Sequence, residues 1–338
     1  MPGRRLCDIG CECATRSAPS LVFRNQETRQ FMHLRIATRA SQLALWQAGH
    51  VRSLLNRAAP EATIEIVPIS TIGDRDQTGS LRSLGGYGAF TREIQKAVLD
   101  HRADIAVHSL KDLPTAATPG LRLAAVPERG DAADALVFPA AYAGGLDLTA
   151  LPQGAHVGTG SLRRQAQLRR LRPDLKLGEV RGNVETRLRK LDTGEYDALV
   201  LAAAGLTRLG FENRISRRLE PPLMYPAVGQ GALGLECRGD DEPLLQILAA
   251  VNDPATHASV VAERSLLFAL EAGCHAPVGA ATCIAGDRLT LDAVVLPLDG
   301  QTRLQVRCAA PLDQAEALGR QAAVELLAQG AAAFINPA

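Results

Sequence analysis

The 338-residue sequence predicts an α/β protein of two α/β lobes joined by a double crossover, followed by a small C-terminal α+β domain. Three observations carry that reading. From Leu34 onward, short strand-like runs alternate with stretches of helical periodicity, the grammar of parallel βαβ units. The alternation changes near residues 127–134 and again over 226–236, so the chain crosses twice between two such units. After Pro254 the order becomes helix, three short strands, helix. The length agrees, because single cores stop growing near about 250–300 residues.

Residues 34–38 read as a strand, and Ser41 is placed to cap the next helix, which carries Ala44, Ala48, Val51 and Leu55 on one face. A strand at 62–69, a polar glycine-bearing loop at 73–88, a helix near 90–101 and an apolar strand at 103–108 follow. They make a first lobe expected to span 32–127 and to include 230–250, where 244–251 reads as a helix. The second lobe, 131–225, has similar grammar: strands at 155–157, 175–177 and 197–201, helices at 161–171 and 184–191. The third domain, 254–338, comprises a long helix to about 271, strands at 280–283, 288–295 and 302–308, and a closing helix near 313–328. Residues 1–31 show no such pattern and are expected to be a disordered extension ahead of a start at Met32.

Composition excludes several classes. Hydrophobic residues at 46% and charged residues at 22% describe a folding chain, not a disordered or fibrous one. A net charge of +1 gives little long-range attraction for nucleic acid or an anionic membrane. No apolar run reaches the roughly 18 residues a membrane span needs. The apolar run at 21–23 is too short for a signal peptide, so a cytoplasmic location is expected. Cys7, Cys11, Cys13, Cys237, Cys274, Cys283 and Cys308 form no CxxC pair, so neither a metal site nor a disulfide framework is expected. Of 37 basic residues only Lys96, Lys111, Lys176 and Lys190 are lysines. Genomic base composition or selection for guanidinium chemistry would account for that bias equally well.

Four segments combine arginine, small residues and a helix edge: ATRAS (37–41), GTGSLRRQ (158–165), RGNVETR (181–187) and LTRLG (206–210). Guanidinium forks beside free helix N–H groups suit carboxylates or phosphates. One such segment is more often a capped helix beside a solvated arginine, but four point to a cleft for several anions. GTGSLRRQ lacks the ending of a P-loop and the spacing of a dinucleotide fingerprint, which disfavours nucleotides. Arg163 and Arg164 are adjacent on a helix, so one is expected in the cleft and the other braced against a neighbour.

HSLKDLP (108–114) follows the apolar strand ADIAV, at the carboxyl end where open α/β sheets place ligands. Asp112 there can stabilise a developing cation or move a proton, or simply cap a turn before Pro114. Lys111 can pair with a carboxylate or lie on the surface, and His108 reads as a core-edge histidine. Cys274, in LEAGCHAP (270–277), follows the long helix, where Gly273 is expected to supply a left-handed stop. Spacing alone leaves it a nucleophile or an inert thiol and favours the second. Cys237, Cys283 and Cys308 read as core.

RIATRASQLALWQA (35–48), ADIAVHSLKDLP (103–114), VGTGSLRRQAQL (157–168), RGNVETRLRKLDTGEYDALVLAAAGLTRLG (181–210), PAVGQGALGLEC (226–237) and LEAGCHAPVGA (270–280) resemble, in order, the signature segments of the hydroxymethylbilane synthase (porphobilinogen deaminase) family. The resemblance runs from about Leu34 to the end. It implies a transferase that joins four porphobilinogen molecules head to tail, with loss of ammonia, on a dipyrromethane primer, then releases linear hydroxymethylbilane by hydrolysis. It implies a thioether from Cys274 to the dipyrromethane and Asp112 as the catalytic carboxylate. Ser41, Lys111, Ser161, Arg163, Arg164 and Arg187 match positions that hold the cofactor; Arg39, Arg181 and Arg208 match positions that hold substrate carboxylates. It also suggests a monomer, with no metal and no macromolecular partner. Each pyrrole brings two carboxylates, whose burial demands cationic partners, and arginine supplies them in bidentate, permanently charged form.

The sequence departs from the family in places. Tyr87 follows Gly85-Gly86 where a lysine is common, Gly160 replaces a frequent serine, Glu185 occupies the middle of RGNVETR, and Ala272 and His275 flank the cysteine motif. Tyr87 puts a carboxylate contact from its loop in doubt. Two lobes with a double crossover also describe periplasmic-binding-protein-like folds, so a non-catalytic solute-binding protein for a carboxylate ligand is the principal rival. A nucleotide-dependent transferase is a second, lacking a metal-binding partner motif.

Overall fold

A computed structural model describes residues 33–70, 91–142, 145–273 and 276–335. The expected extension 1–31 with its start at Met32, the loop 73–88 with Tyr87, and Cys7, Cys11, Cys13, Cys274 and His275 lie outside the described residues.

The first sheet has the order β2-β1-β3-β10-β4, built from β1 (His33–Arg39), β2 (Thr63–Ile69), β3 (Ile105–Ser109), β4 (Leu121–Ala125) and β10 (Leu233–Arg238). Strand β1 runs parallel to β2 and β3, while β10 enters antiparallel between β3 and β4. Helix α1 (Gln42–Ala58) lays Ala44, Ala48, Val51 and Leu55 on this sheet, the face its periodicity predicts. Ile36, Leu55 and Ile105 are fully buried, and such burial contributes about 1.5–3 kcal/mol per side chain. Helix α2 (Arg92–Leu99) covers part of the same sheet through Ile94, Ala97 and Val98.

The second sheet has the order β7-β6-β8-β5-β9, from β5 (Asp134–Val137), β6 (His156–Gly158), β7 (Lys176–Gly178), β8 (Ala198–Ala202) and β9 (Arg217–Leu219). Helices α3 (Leu162–Leu171), α4 (Val184–Asp192) and α5 (Ala203–Arg208) follow β6, β7 and β8. The chain crosses between the sheets after β4 and again before β10, so the two α/β lobes are doubly connected. Helix α6 (Glu242–Ala249) returns Leu244 and Leu248 to the core of the first sheet.

Helix α7 (Pro254–Ala269) starts at an Asp253 cap that accepts from the Thr256 N–H, with Pro254 where no donor is needed. With α8 (Ala315–Ala328) it packs on a three-stranded antiparallel sheet, β11 (Val278–Ala285), β12 (Arg288–Val295) and β13 (Leu304–Pro311). The left-handed residue after α7 is Glu271, at φ 52°, rather than Gly273. The Ala272 N–H reaching the Leu267 carbonyl closes the turn two residues earlier than glycine placement suggests. Cys237 and Cys308 are buried as expected, but Cys283 is exposed. It sits on β11 at a position whose side chain faces out of the sheet.

Candidate functional site

Strand β3 ends in a single 3-10 turn, Leu110–Asp112, at the carboxyl edge of the first sheet. Leu110 is buried and its N–H donates to the Ala232 carbonyl at 3.1 Å. From α1, Gln47 donates to the Ser109 hydroxyl at 2.8 Å. The strand end is thus fixed from two sides, and the turn presents Lys111 half-buried and Asp112 exposed. Gly229, at φ 69°, packs against this turn; a Cβ there would lie 3.2 Å from the Lys111 nitrogen.

On the second sheet, Ser161 caps α3 and accepts from the Arg164 N–H at 3.5 Å. Both arginines of the first turn reach one carboxylate. Arg163 binds Asp134 through two nitrogens at 2.6 and 3.1 Å. Arg164 donates from Nε to the same group at 2.8 Å and from Nη1 to the Val200 carbonyl at 3.0 Å. The expected divergence of the two side chains is therefore corrected: Asp134, at the start of β5, accepts from both, because long guanidinium side chains can turn inward from adjacent helix positions. Gln230 completes the set, donating to Asp134 at 2.9 Å and accepting from Arg164 at 3.3 Å.

Burial alone would raise the Asp134 carboxyl, but the Arg163 and Arg164 charges overcome it and hold the group well below the usual carboxylate range. Two guanidiniums on one carboxylate leave a buried positive excess. Lys111 lies within reach of the same charges: burial pushes its ammonium down to about 8, with Asp112 and Asp134 opposing that shift and Arg164 and Arg163 adding to it. Arg187, on α4, is pushed down to about 10 by burial and by Arg164, with Asp112 acting the other way. Among the described residues the Lys111 side chain forms no hydrogen bond or ion pair, and the Arg187 side chain donates only to the Gly182 carbonyl, at 2.8 Å. The structure thus gathers Lys111, Asp112, Arg163, Arg164 and Arg187 into one electrostatic neighbourhood.

The remaining candidates are more dispersed. Ser41 caps α1, accepting from the Ala44 N–H at 3.4 Å, and Arg39 ends β1 beside it. Arg181 pairs with Glu179 at 2.8 Å. Arg208, the last residue of α5, donates to the Gly231 carbonyl at 2.6 Å and lies 5.7 Å from the centre of the Trp46 ring. Burial pushes its guanidinium down to about 10. Cys274 lies outside the described residues, so its distance from this neighbourhood is not part of the geometry.

Sequence reasoning passed over Asp134, Gln230, Arg129 and Glu263. Asp134 had a legible signal, since an acid opening the otherwise apolar strand DALV must find a cation once buried. Gln230 and Glu263 had none, because the groups they meet are distant in the chain: Asp134 lies 96 residues from Gln230 and Arg129 lies 134 residues from Glu263.

Comparison with known proteins matches residues 34–246 to the family model "Porphobilinogen deaminase, dipyromethane cofactor binding domain" and residues 257–328 to "Porphobilinogen deaminase, C-terminal domain". Porphobilinogen deaminase of Geobacter metallireducens is 47% identical over 298 residues, 88% of this chain and 92% of that one. The enzyme of the same name from Syntrophotalea carbinolica is 47% identical over 88% of this chain and 93% of its own. Among solved structures, the probable amino-acid ABC transporter extracellular-binding protein YtmK of Bacillus subtilis is similar at a TM-score of 0.40 and 8% identity, over 68% of this chain and 95% of that one.

Proposed function

The chain belongs to the porphobilinogen deaminase family, and from that premise we propose that it is a hydroxymethylbilane synthase, condensing four porphobilinogen molecules head to tail with loss of ammonia and releasing linear hydroxymethylbilane. Its cofactor is the family's dipyrromethane. The observation that carries the reading is the pair Lys111 and Arg187, two half-buried cations whose charges burial disfavours and which form no ion pair among the described residues, both within electrostatic reach of the exposed Asp112. An unpaired buried cation is costly, and a ligand carboxylate removes the cost.

The donor set fits a dipyrromethane. Its side-chain carboxylates ask for ammonium, guanidinium and cap hydroxyl groups, and Lys111, Arg187, Ser41 and Ser161 supply them. The positive excess of Arg163 and Arg164 over Asp134 adds to the same field. When bound, the group supplies the acceptor end on which the chain is built. Cys274 is the attachment point in this reading, through a thioether. Asp112, within the electrostatic reach of Lys111 and Arg187, is the group that would accept from pyrrole N–H groups and stabilise positive charge as ammonia departs. Arg39, Arg181 and Arg208 hold carboxylates of incoming and added units.

In this reading the domains are 32–127 with 230–250, 131–225, and 254–338. A cytoplasmic monomer belongs to the same reading, on the strength of the family alone; no helix among the described residues is long and apolar enough to cross a membrane.

Intact-mass spectrometry of the purified wild type and Cys274→Ser tests the reading. The wild type should carry the extra mass of two linked pyrrole units and the variant should not; an unmodified, fully active wild type would refute it. Asp112→Ala should retain the fold and lose turnover of porphobilinogen.

A further inference from the structure

Helix α7 grips the Lys111–Asp112 turn at three points on one helical face. Val260 is fully buried in a cluster with Leu110 and Leu113, the two leucines that bracket Lys111 and Asp112. Glu263 is wholly buried and accepts from the Gly229 N–H at 2.7 Å. Gly229 in turn presses on the turn, since a Cβ there would stand 3.0 Å from the Leu110 Cβ. Glu263 is itself locked by Arg129 at 2.6 and 3.1 Å and by the Thr282 hydroxyl at 3.0 Å. Arg264 sends one nitrogen to the Leu113 carbonyl at 2.9 Å and another to the Pro114 carbonyl at 2.7 Å, the two acceptors immediately after Asp112. Positions 260, 263 and 264 are spaced i, i+3, i+4, so they share one side of the helix.

We propose that Arg264 is a positioning residue, which with Glu263 and Val260 fixes the turn bearing Asp112 to the helix whose chain runs on to Cys274. The inference rests on Asp112 being the catalytic carboxylate. The turn is held at its start by the Ala232 carbonyl and at its end by the Arg264 fork, which ties it to the first helix of the third domain. A guanidinium spanning two successive carbonyls is a two-point contact that a lysine ammonium reproduces poorly.

The test uses the primer-loaded enzyme as wild type, Arg264→Met and Arg264→Lys. Hydrogen exchange of peptides covering 110–114 should quicken about tenfold in Arg264→Met while β11, β12 and β13 exchange as in the wild type. Turnover should fall about tenfold with KM and primer occupancy within about twofold, since small misplacement of a reacting group is costly. Arg264→Lys should recover part of both effects. Unchanged exchange at 110–114, or exchange rising equally through α7 and the third sheet, would overturn the proposal. Wild-type protein that fails to consume porphobilinogen would instead sink the functional reading, and the exchange pattern would still decide the clamp.

Discussion

Arg163 and Asp134 form a two-point ion pair from which water is excluded, with 3% and 0% of their side chains exposed. Arg164 shares the same carboxylate from the other side. Removing the negative charge leaves two buried guanidiniums facing each other. Asp134→Asn, close in shape, is therefore expected to destabilise the protein by about 3–5 kcal/mol, read from urea denaturation at pH 7. The sign with pH follows. A carboxyl held low in the folded state adds stability above its unfolded value, and that stability is lost as pH falls toward the folded value. The wild type should lose stability on acidification below about pH 4, and Asp134→Asn should lose less over the same range.

Lys111 makes a different pH prediction. It is charged below about 8 and neutral above, so its attraction for a carboxylate weakens as pH rises through that value. Apoprotein incubated with porphobilinogen should acquire its primer more slowly above pH 8, followed by intact mass against time. Arg keeps its charge throughout this range. Lys111→Arg should therefore show no break near pH 8, and an identical break in both proteins would remove Lys111 from cofactor capture.

Much of the fold was legible because its signals are local. The α1 face, the Ser41 and Ser161 caps and the apolar strand before Lys111 follow from residues within a few positions of one another. Strand β9 was illegible, being three residues long with the sequence Arg217-Arg218-Leu219. It takes its identity from pairing with β5 rather than from its own pattern. The site divides the same way. Arginine near helix starts announces an anion cleft, but which arginine is spent internally depends on Asp134 and Gln230, which arrive from other segments. Arg163 looks as available as Arg187 in the sequence, yet one has a buried carboxylate and the other a backbone carbonyl.

Gly231 offers a test of the second crossing. Its φ of 84° is left-handed, and a Cβ would meet the Gly130 carbonyl at 2.5 Å and the Asp131 carbonyl at 2.9 Å. Both obstacles are backbone and cannot swing aside. Gly231→Ala should cost about 3 kcal/mol from strain and displacement together, measured by thermal or urea unfolding. Gly49→Ala, on α1 with open space around it, is the control and should be neutral or mildly stabilising.

Trp46 is the single tryptophan, so its fluorescence reports one place. It stands on α1, stacked on His50 at 5.3 Å, with the Arg208 guanidinium from α5 at 5.7 Å. The contact therefore bridges the two lobes and holds an arginine that the functional reading assigns to substrate. A cation over an indole face contributes about 0.5–1 kcal/mol where solvent has access, less than a charge-assisted hydrogen bond to a carboxylate. A carboxylate of an added pyrrole can thus draw Arg208 off the ring. Porphobilinogen should shift Trp46 emission to the red as water replaces the guanidinium, in step with chain growth followed by mass. Arg208→Gln should abolish the shift while retaining the thermal transition. Emission that stays constant through elongation in the wild type would mean that Arg208 remains on Trp46 and binds no substrate carboxylate.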